Sequence, residues 1–202
     1  GSGAHRLGVT PATLGQKLQV YAVGLGASVR RVALSPDGAW LALALDGAGP
    51  ATGVDVRVVD SKTLQTVWER KDLDDDDGAV AWRSPGDALA FGGGSTHLLL
   101  LDAKTGETAA VFAGHTAAMR TLAWAAQGTR LLSAGLDGTA RVWTVAPGKA
   151  PKSLVSMTRH CPGGCTGVAI TAAVWGDAAG TWAVTASDDG AILAWDAPQA
   201  PP

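Results

Sequence analysis

Three residue types that together perform acyl transfer recur close to one another in this chain: Ser133, His115 and Asp137. A serine hydroxyl beside a histidine that a carboxylate holds in place is the arrangement of a hydrolase triad. The local sequence argues against that use. Ser133 lies inside an apolar run, Leu131 to Ala134, with no Gly-x-Ser-x-Gly elbow to lift its hydroxyl clear of a sheet. With Trp143 added, the four side chains are spaced so that one buried polar network ties three strands together and leaves few donors or acceptors unused. Thr185, Asp189 and Trp195 repeat the offsets of Ser133, Asp137 and Trp143 near the C-terminal end. His160, displaced by an inserted loop, is the histidine available to that second set.

Two further clusters invite a chemical reading. His160-Cys161 and Cys165 offer soft ligands of the kind that hold zinc, but the spacing is Cys-x3-Cys and no second cysteine pair completes four ligands. The expectation is an exposed loop carrying two thiols, with no metal. Asp72 and Asp74, Asp75, Asp76 and Asp77 form an acidic run. It lacks the alternate ligand spacing, central glycine and closing glutamate of a calcium loop. It reads as a solvated, self-repelling loop, the alternative being a docking patch for a basic partner segment. Gly92 to Gly94 lacks the lysine and helix of a phosphate-binding loop, and no His-Glu-x-x-His occurs. No cofactor is expected.

Composition narrows the class. Of 202 residues, 47% are apolar and 17% charged, which favours a packed core over disorder. Sixteen basic residues against eighteen acidic give a net charge of −2, which argues against a nucleic-acid binder that depends on a positive field. No apolar run approaches the length of a membrane span. Two cysteines do not make a disulfide framework, so a reducing, cytoplasmic location is expected, with cytoskeletal association as a variant. The chain opens Gly-Ser-Gly without Met, which reads as a linker or as part of a longer protein.

The elements that must position these residues come from one unit written four times. Trp143-Thr144 is preceded forty-two residues earlier by Leu101-Asp102, and forty-two before that by Val59-Asp60. Trp195-Asp196 follows after fifty-two. VALSPDG from Val32, VAWRSPG from Val80, LAWAAQG from Leu122 and AVWGDAAG from Ala173 align, so Leu34, Trp82, Trp124 and Trp175 share one position. Second strands follow from Trp40, Ala88, Arg130 and Trp182, and third strands end each unit. Shorter β-prone segments at Leu64–Trp68, Thr108–Phe112 and Leu154–Met157 supply fourth strands. Leu18–Val23 is a lone strand signal at the start, suited to completing the last unit so that no sheet edge stays open. No stretch shows helical periodicity free of Gly or Pro. The expectation is all-β.

A period near forty-two, four strands per unit, Gly114-His115 opening one unit and Trp195-Asp196 closing another resemble the WD40 repeat of β-propellers. The resemblance covers roughly residues 18 to 196 and is weakest in the first two units. It implies a rigid protein-binding platform without catalysis. It also implies that Trp143, Ser133, His115 and Asp137 form a structural tetrad. The chain departs from the family in blade number, four where seven is usual. The N-terminal strand therefore either closes a four-blade ring, or the chain is half of a larger propeller, completed by a second copy or by other blades of a longer chain. The expected organisation is a tail at 1–16, a propeller at 17–197 with units near 17–60, 61–102, 103–144 and 145–196, and a Pro-rich tail at 198–202.

The function expected is a non-catalytic scaffold or adaptor for other proteins or peptides, with no membrane or nucleic-acid partner. The alternatives are a structural subunit of a large assembly, such as a cytoskeletal or ciliary complex, and a regulatory module of a longer signalling enzyme. Candidate contact residues are Arg30 and Arg120, which share a position near the entrance of the innermost strand, and Leu136 and Asp188, which precede the two turn aspartates. Trp68 joins them as an anchor on the rim, or else caps the space between blades.

Overall fold

The computed structural model describes residues 28–45, 54–71, 73, 78–93, 96–146, 150–157 and 168–197. Within them every regular element is a strand, and each sheet is an antiparallel meander. The first blade is β1 (Val29–Leu34), β2 (Trp40–Leu45), β3 (Val54–Asp60) and β4 (Thr66–Lys71). The second is β5 (Ala79–Trp82), β6 (Ala88–Gly92), β7 (His97–Asp102) and β8 (Thr108–Ala113). The third is β9 (Met119–Trp124), β10 (Arg130–Gly135), β11 (Ala140–Thr144) and β12 (Lys152–Met157). The fourth has β13 (Ile170–Trp175), β14 (Trp182–Ser187) and β15 (Ile192–Asp196). Leu18–Val23, the strand expected to complete it, lies outside the described residues, as do both tails.

Short turns hold each meander. Asp60 accepts the backbone N–H groups of Lys62 and Thr63 at 3.0 and 2.7 Å, and Asp102 those of Lys104 and Thr105 at 2.9 Å. These bonds keep both carboxyls below the usual carboxylate range. Thus the residue that closes each of the first two units also caps the hairpin to the outer strand.

A lone sheet cannot bury both of its faces, so each blade is covered by the next. The inner strands pack in the order β1, β5, β9, β13, and an apolar cluster fills each space between blades. At every one of these junctions a tryptophan on the inner strand donates its indole N–H to the preceding blade. Trp82 reaches the Ala33 carbonyl at 2.9 Å, Trp124 that of Ala81 at 3.1 Å, and Trp175 that of Ala123 at 2.9 Å. The turns between first and second strands also touch across blades. Gly128 holds φ +66°, and a Cβ there would stand 2.2 Å from the Ser84 carbonyl oxygen of the second blade, so only glycine fits.

Of its two expected roles, Trp68 takes the cap between blades. Trp68 is 8% exposed and is no rim anchor. Its indole N–H bonds the Ala103 carbonyl at 2.8 Å, and its ring lies flat against Gly106, where a Cβ would come within 2.7 Å. It seals the first blade to the second. Trp40, at the start of β2, packs on Trp82 with ring centroids 6.0 Å apart in the same junction. Trp182 does remain exposed.

Replacing Trp124 with Phe keeps an aromatic ring in the wedge between blades but leaves the Ala81 carbonyl without its indole donor. The expected loss is about 1 kcal/mol in urea unfolding. An unchanged midpoint and slope would show that the indole bond adds nothing at this junction.

Candidate functional site

The third blade brings the Ser-His-Asp set together. Strand pairing places Leu131 opposite Trp143 and Ser133 two residues further along β10, so the Trp143 and Ser133 side chains share the face that meets the second blade. Phe112 stands edge-on to the Trp143 ring, centroids 5.4 Å apart, and fixes it. The Trp143 indole N–H donates to Ser133 Oγ at 2.8 Å, and the Ser133 hydroxyl meets His115 Nε2 at 2.7 Å. His115 Nδ1 meets Asp137 Oδ2 at 2.8 Å. One assignment satisfies every atom: Ser133 donates to Nε2, and the protonated Nδ1 donates to the carboxylate. Asp137 also accepts the Thr116 N–H at 3.0 Å and the Thr139 N–H and hydroxyl, both at 2.9 Å.

The atoms are joined in the order a triad requires, yet the site cannot act as one. Ser133 is fully buried in the middle of β10, and Trp143 already occupies its oxygen. An acyl carbon has no approach to a hydroxyl enclosed in this way. The arrangement does mechanical work: it ties the Gly114–His115 corner and the turn at Asp137 to the middle of the sheet. Burial alone would push the Asp137 carboxyl up; the bonds from His115, Thr116 and Thr139 outweigh it and hold the group well below the usual carboxylate range.

The second set is assembled in parts. The Trp195 indole N–H donates to Thr185 Oγ1 at 2.7 Å, with Thr185 fully buried. Asp189 accepts the Ser187 hydroxyl and the Ala191 N–H within its own turn. His160, Cys161 and Cys165 lie outside the described residues, as do Asp72 and Asp74 to Asp77.

The expected contact residues gather at one end of the blades. The Leu136 N–H bonds the Ala118 carbonyl beside the start of β9, and the Asp188 N–H bonds the Ala169 carbonyl beside the start of β13. Arg120 and Arg30 stand at the starts of β9 and β1, so all four share that end. Arg30 and Asp188 are exposed; Arg120 and Leu136 are half-buried. Sequence reasoning overlooked Arg130. Its guanidinium lies 5.5 Å from the Trp175 ring and donates to the carbonyls of Gly180 and Ala197, clamping the third blade to the fourth. The available signal was a charge at a strand-opening position that is Trp or Ala in the other units.

Comparison with known proteins agrees with this geometry. The family described as "WD domain, G-beta repeat" matches residues 106–144. WD repeat-containing protein 1 of Xenopus tropicalis is 36% identical over 74 residues, 35% of this chain and 12% of that protein. A chain in the crystal structure of the mitotic checkpoint complex superposes with a TM-score of 0.69 at 20% identity, over 87% of this chain and 51% of that one. The chain carries a WD40 repeat, and its fold is that of a WD40 propeller. It spans about half the length of the structural neighbour and about an eighth of the curated relative. The matched segment holds all four residues of the network, together with β8 of the preceding blade. Among the described residues no group of His, Cys, Asp and Glu could hold a metal ion.

Substituting His115 or Asp137 by Ala strands the remaining members of the WD40 network. A loss of about 1–3 kcal/mol is expected, read from a thermal or urea melt; an unchanged melt would refute the structural role. The acid limb follows from the sign of the Asp137 shift. A lowered folded value stabilises the protein above the unfolded value, near 3.8, and that stability is lost as pH falls through the folded value. Wild type should lose stability progressively below about pH 4. Asp137→Asn should start less stable and show a shallower acid slope, measured by urea unfolding at a series of pH values.

Proposed function

We propose that this protein is a non-catalytic scaffold that holds other proteins or peptides at the end of the blades carrying Arg30, Arg120, Leu136 and Asp188. One observation carries the reading: the Ser-His-Asp set is closed inside a sheet and spent on bonding, while side chains of both charges and an apolar one collect at a single end. A platform of packed blades presents such residues without deforming, so binding does not have to order the scaffold. The structural neighbour was solved within a multi-protein complex, in keeping with the same use. A role as a subunit of a larger assembly is a second reading, supported by exposed Trp182 and Ile192 on the last blade. The cytoplasm is the compartment we propose, on the low cysteine count.

The test is cross-linking mass spectrometry on the tagged chain in extract of its source cells, beside an Arg120→Glu/Leu136→Ser variant shown to melt as wild type does. The expected result is a reproducible set of proteins cross-linked near β9 and β13 and lost in the variant. Equal recovery by both chains, or none by either, would overturn this face as the binding surface.

A further inference from the structure

We propose that the cleft between the second and third blades binds a tryptophan side chain of a partner polypeptide, its indole N–H donating to the Val145 carbonyl and a neighbouring basic residue meeting the carboxylates of the rim. The cleft lies at the end of the blades opposite Arg30, Arg120, Leu136 and Asp188, and the proposal does not depend on what that end binds.

The cleft has a volume of about 580 Å³, the size of a site that holds a small molecule or a large side chain. Its floor is Ala88, Leu100, Ala110 and Val145, and Ala146 and Pro151 of the third blade stand across from β8. The floor is continuous with the apolar cluster in which Phe112 meets Trp143.

The three junctions differ in what fills this space. The residue that follows the end of each unit is held alike: the Ala103 N–H bonds the Asp87 carbonyl at 3.1 Å, the Val145 N–H that of Thr129 at 2.8 Å, and the Ala197 N–H that of Thr181 at 2.7 Å. The backbone therefore follows one course at all three places. At the first junction the Ala103 carbonyl accepts the Trp68 indole N–H at 2.8 Å. At the third the Ala197 carbonyl accepts the Arg130 guanidinium at 3.2 Å. In both cases the donor comes from the preceding blade.

The second blade has alanine at both donor positions. Trp68 pairs with Val58, two residues before Asp60; the residue that pairs with Leu100, two before Asp102, is Ala110. Arg130 opens the second strand of its blade, and Ala88 opens the second strand of the second blade. Both alanines line the cleft. Val145 is buried, and among the described residues no donor reaches its carbonyl. A buried carbonyl without a donor is costly, so the cleft favours a ligand that brings one.

The first junction shows which side chain fits. Trp68 fills the equivalent space with its ring against Gly106 and its N–H on the equivalent carbonyl. The occupant has to come from another molecule: all eight tryptophans of this chain lie in described strands, and none lines the cleft. Access is open along β8, the last strand of its sheet among the described residues, where Val111 is 49% exposed. An extended segment can run beside that edge. On the rim, Arg83 Nε donates to Asp87 at 2.9 Å. Asp102 spends Oδ1 on the N–H groups of Lys104 and Thr105, and its Oδ2 accepts no bond among the described residues. Two carboxylates against one guanidinium leave the rim negative, which suits a basic residue next to the tryptophan.

The probe is the peptide acetyl-Ala-Lys-Trp-Lys-Ala-amide, titrated into the isotope-labelled chain and followed by amide chemical shifts. Saturable shifts are expected at Ala110, Val111 and Ala146. The same peptide with phenylalanine for tryptophan keeps a ring but lacks the N–H, and should bind about tenfold more weakly. Glutamate in place of both lysines should weaken binding further at low salt. No saturable shift, shifts away from the cleft, or equal binding of the phenylalanine peptide would overturn the proposal. Binding of N-acetyltryptophanamide as tight as that of the peptide would overturn a polypeptide as the occupant. Cleft shifts that follow protein concentration without peptide would assign the cleft to a second copy and overturn the partner. Ala110→Trp tests the fit from within the chain: it should raise the melting temperature and abolish peptide binding. A variant that melts lower, or that folds and still binds the peptide, would show that the space does not match that of Trp68 and would overturn the assignment.

Discussion

The hydrogen bond from an inner-strand indole to a carbonyl of the preceding blade is the contact on which the architecture turns. A single sheet of short strands has two faces and no layer of its own to cover them. Stacking solves this only if each blade is placed at a fixed angle and height against its neighbour. Trp82, Trp124 and Trp175 do both jobs: the ring fills the wedge between inner strands, and the N–H fixes the height along the strand. The Gly128 and Gly180 turns admit the neighbouring blade where a side chain would obstruct it. Trp68, Arg70 and Arg130 repeat the device farther out, each bonding a carbonyl of the next blade.

The blades are not internally equivalent. The third uses a closed polar network, in which desolvated groups are matched donor to acceptor. Such a network is stable only when complete, because each member is buried and has no water to fall back on. The first blade has Val59 and Val56 where the third has Trp143 and Ala140, and it holds its turns by carboxylates at the surface instead. Rigidity therefore comes from different sources along one chain, while the junctions that set the geometry stay alike.

This division of labour separates stability from recognition. The atoms that fix the fold are backbone carbonyls, glycines and buried rings, none of which dictate what stands in the exposed turns. A fold of this kind hosts many functions, so the fold by itself names no partner.

Much of the fold was legible in the sequence because it is periodic. The recurrence of Trp at one position, of Gly in the following turn and of an apolar-Asp ending fixed the number of units, their strands and the pairing order before any coordinate was known. The Ser133–His115–Asp137–Trp143 network was legible for the same reason: its members sit at turn and strand positions whose spacing puts them on one face. What lies between units was not legible. Trp68 stood between a rim anchor and a cap between blades because sequence gives its strand but not its neighbour; the Ala103 carbonyl and Gly106 that enclose it belong to another blade. Arg130 was missed on the same ground, since its partners are fifty and more residues away. Composition and local spacing thus determined the blade, its turns and its internal network, all of which depend on contacts within one unit. Which faces are covered and which tryptophans are buried were decided only by the tertiary structure, because burial is a property of how units stack and each unit alone carries no record of its neighbour.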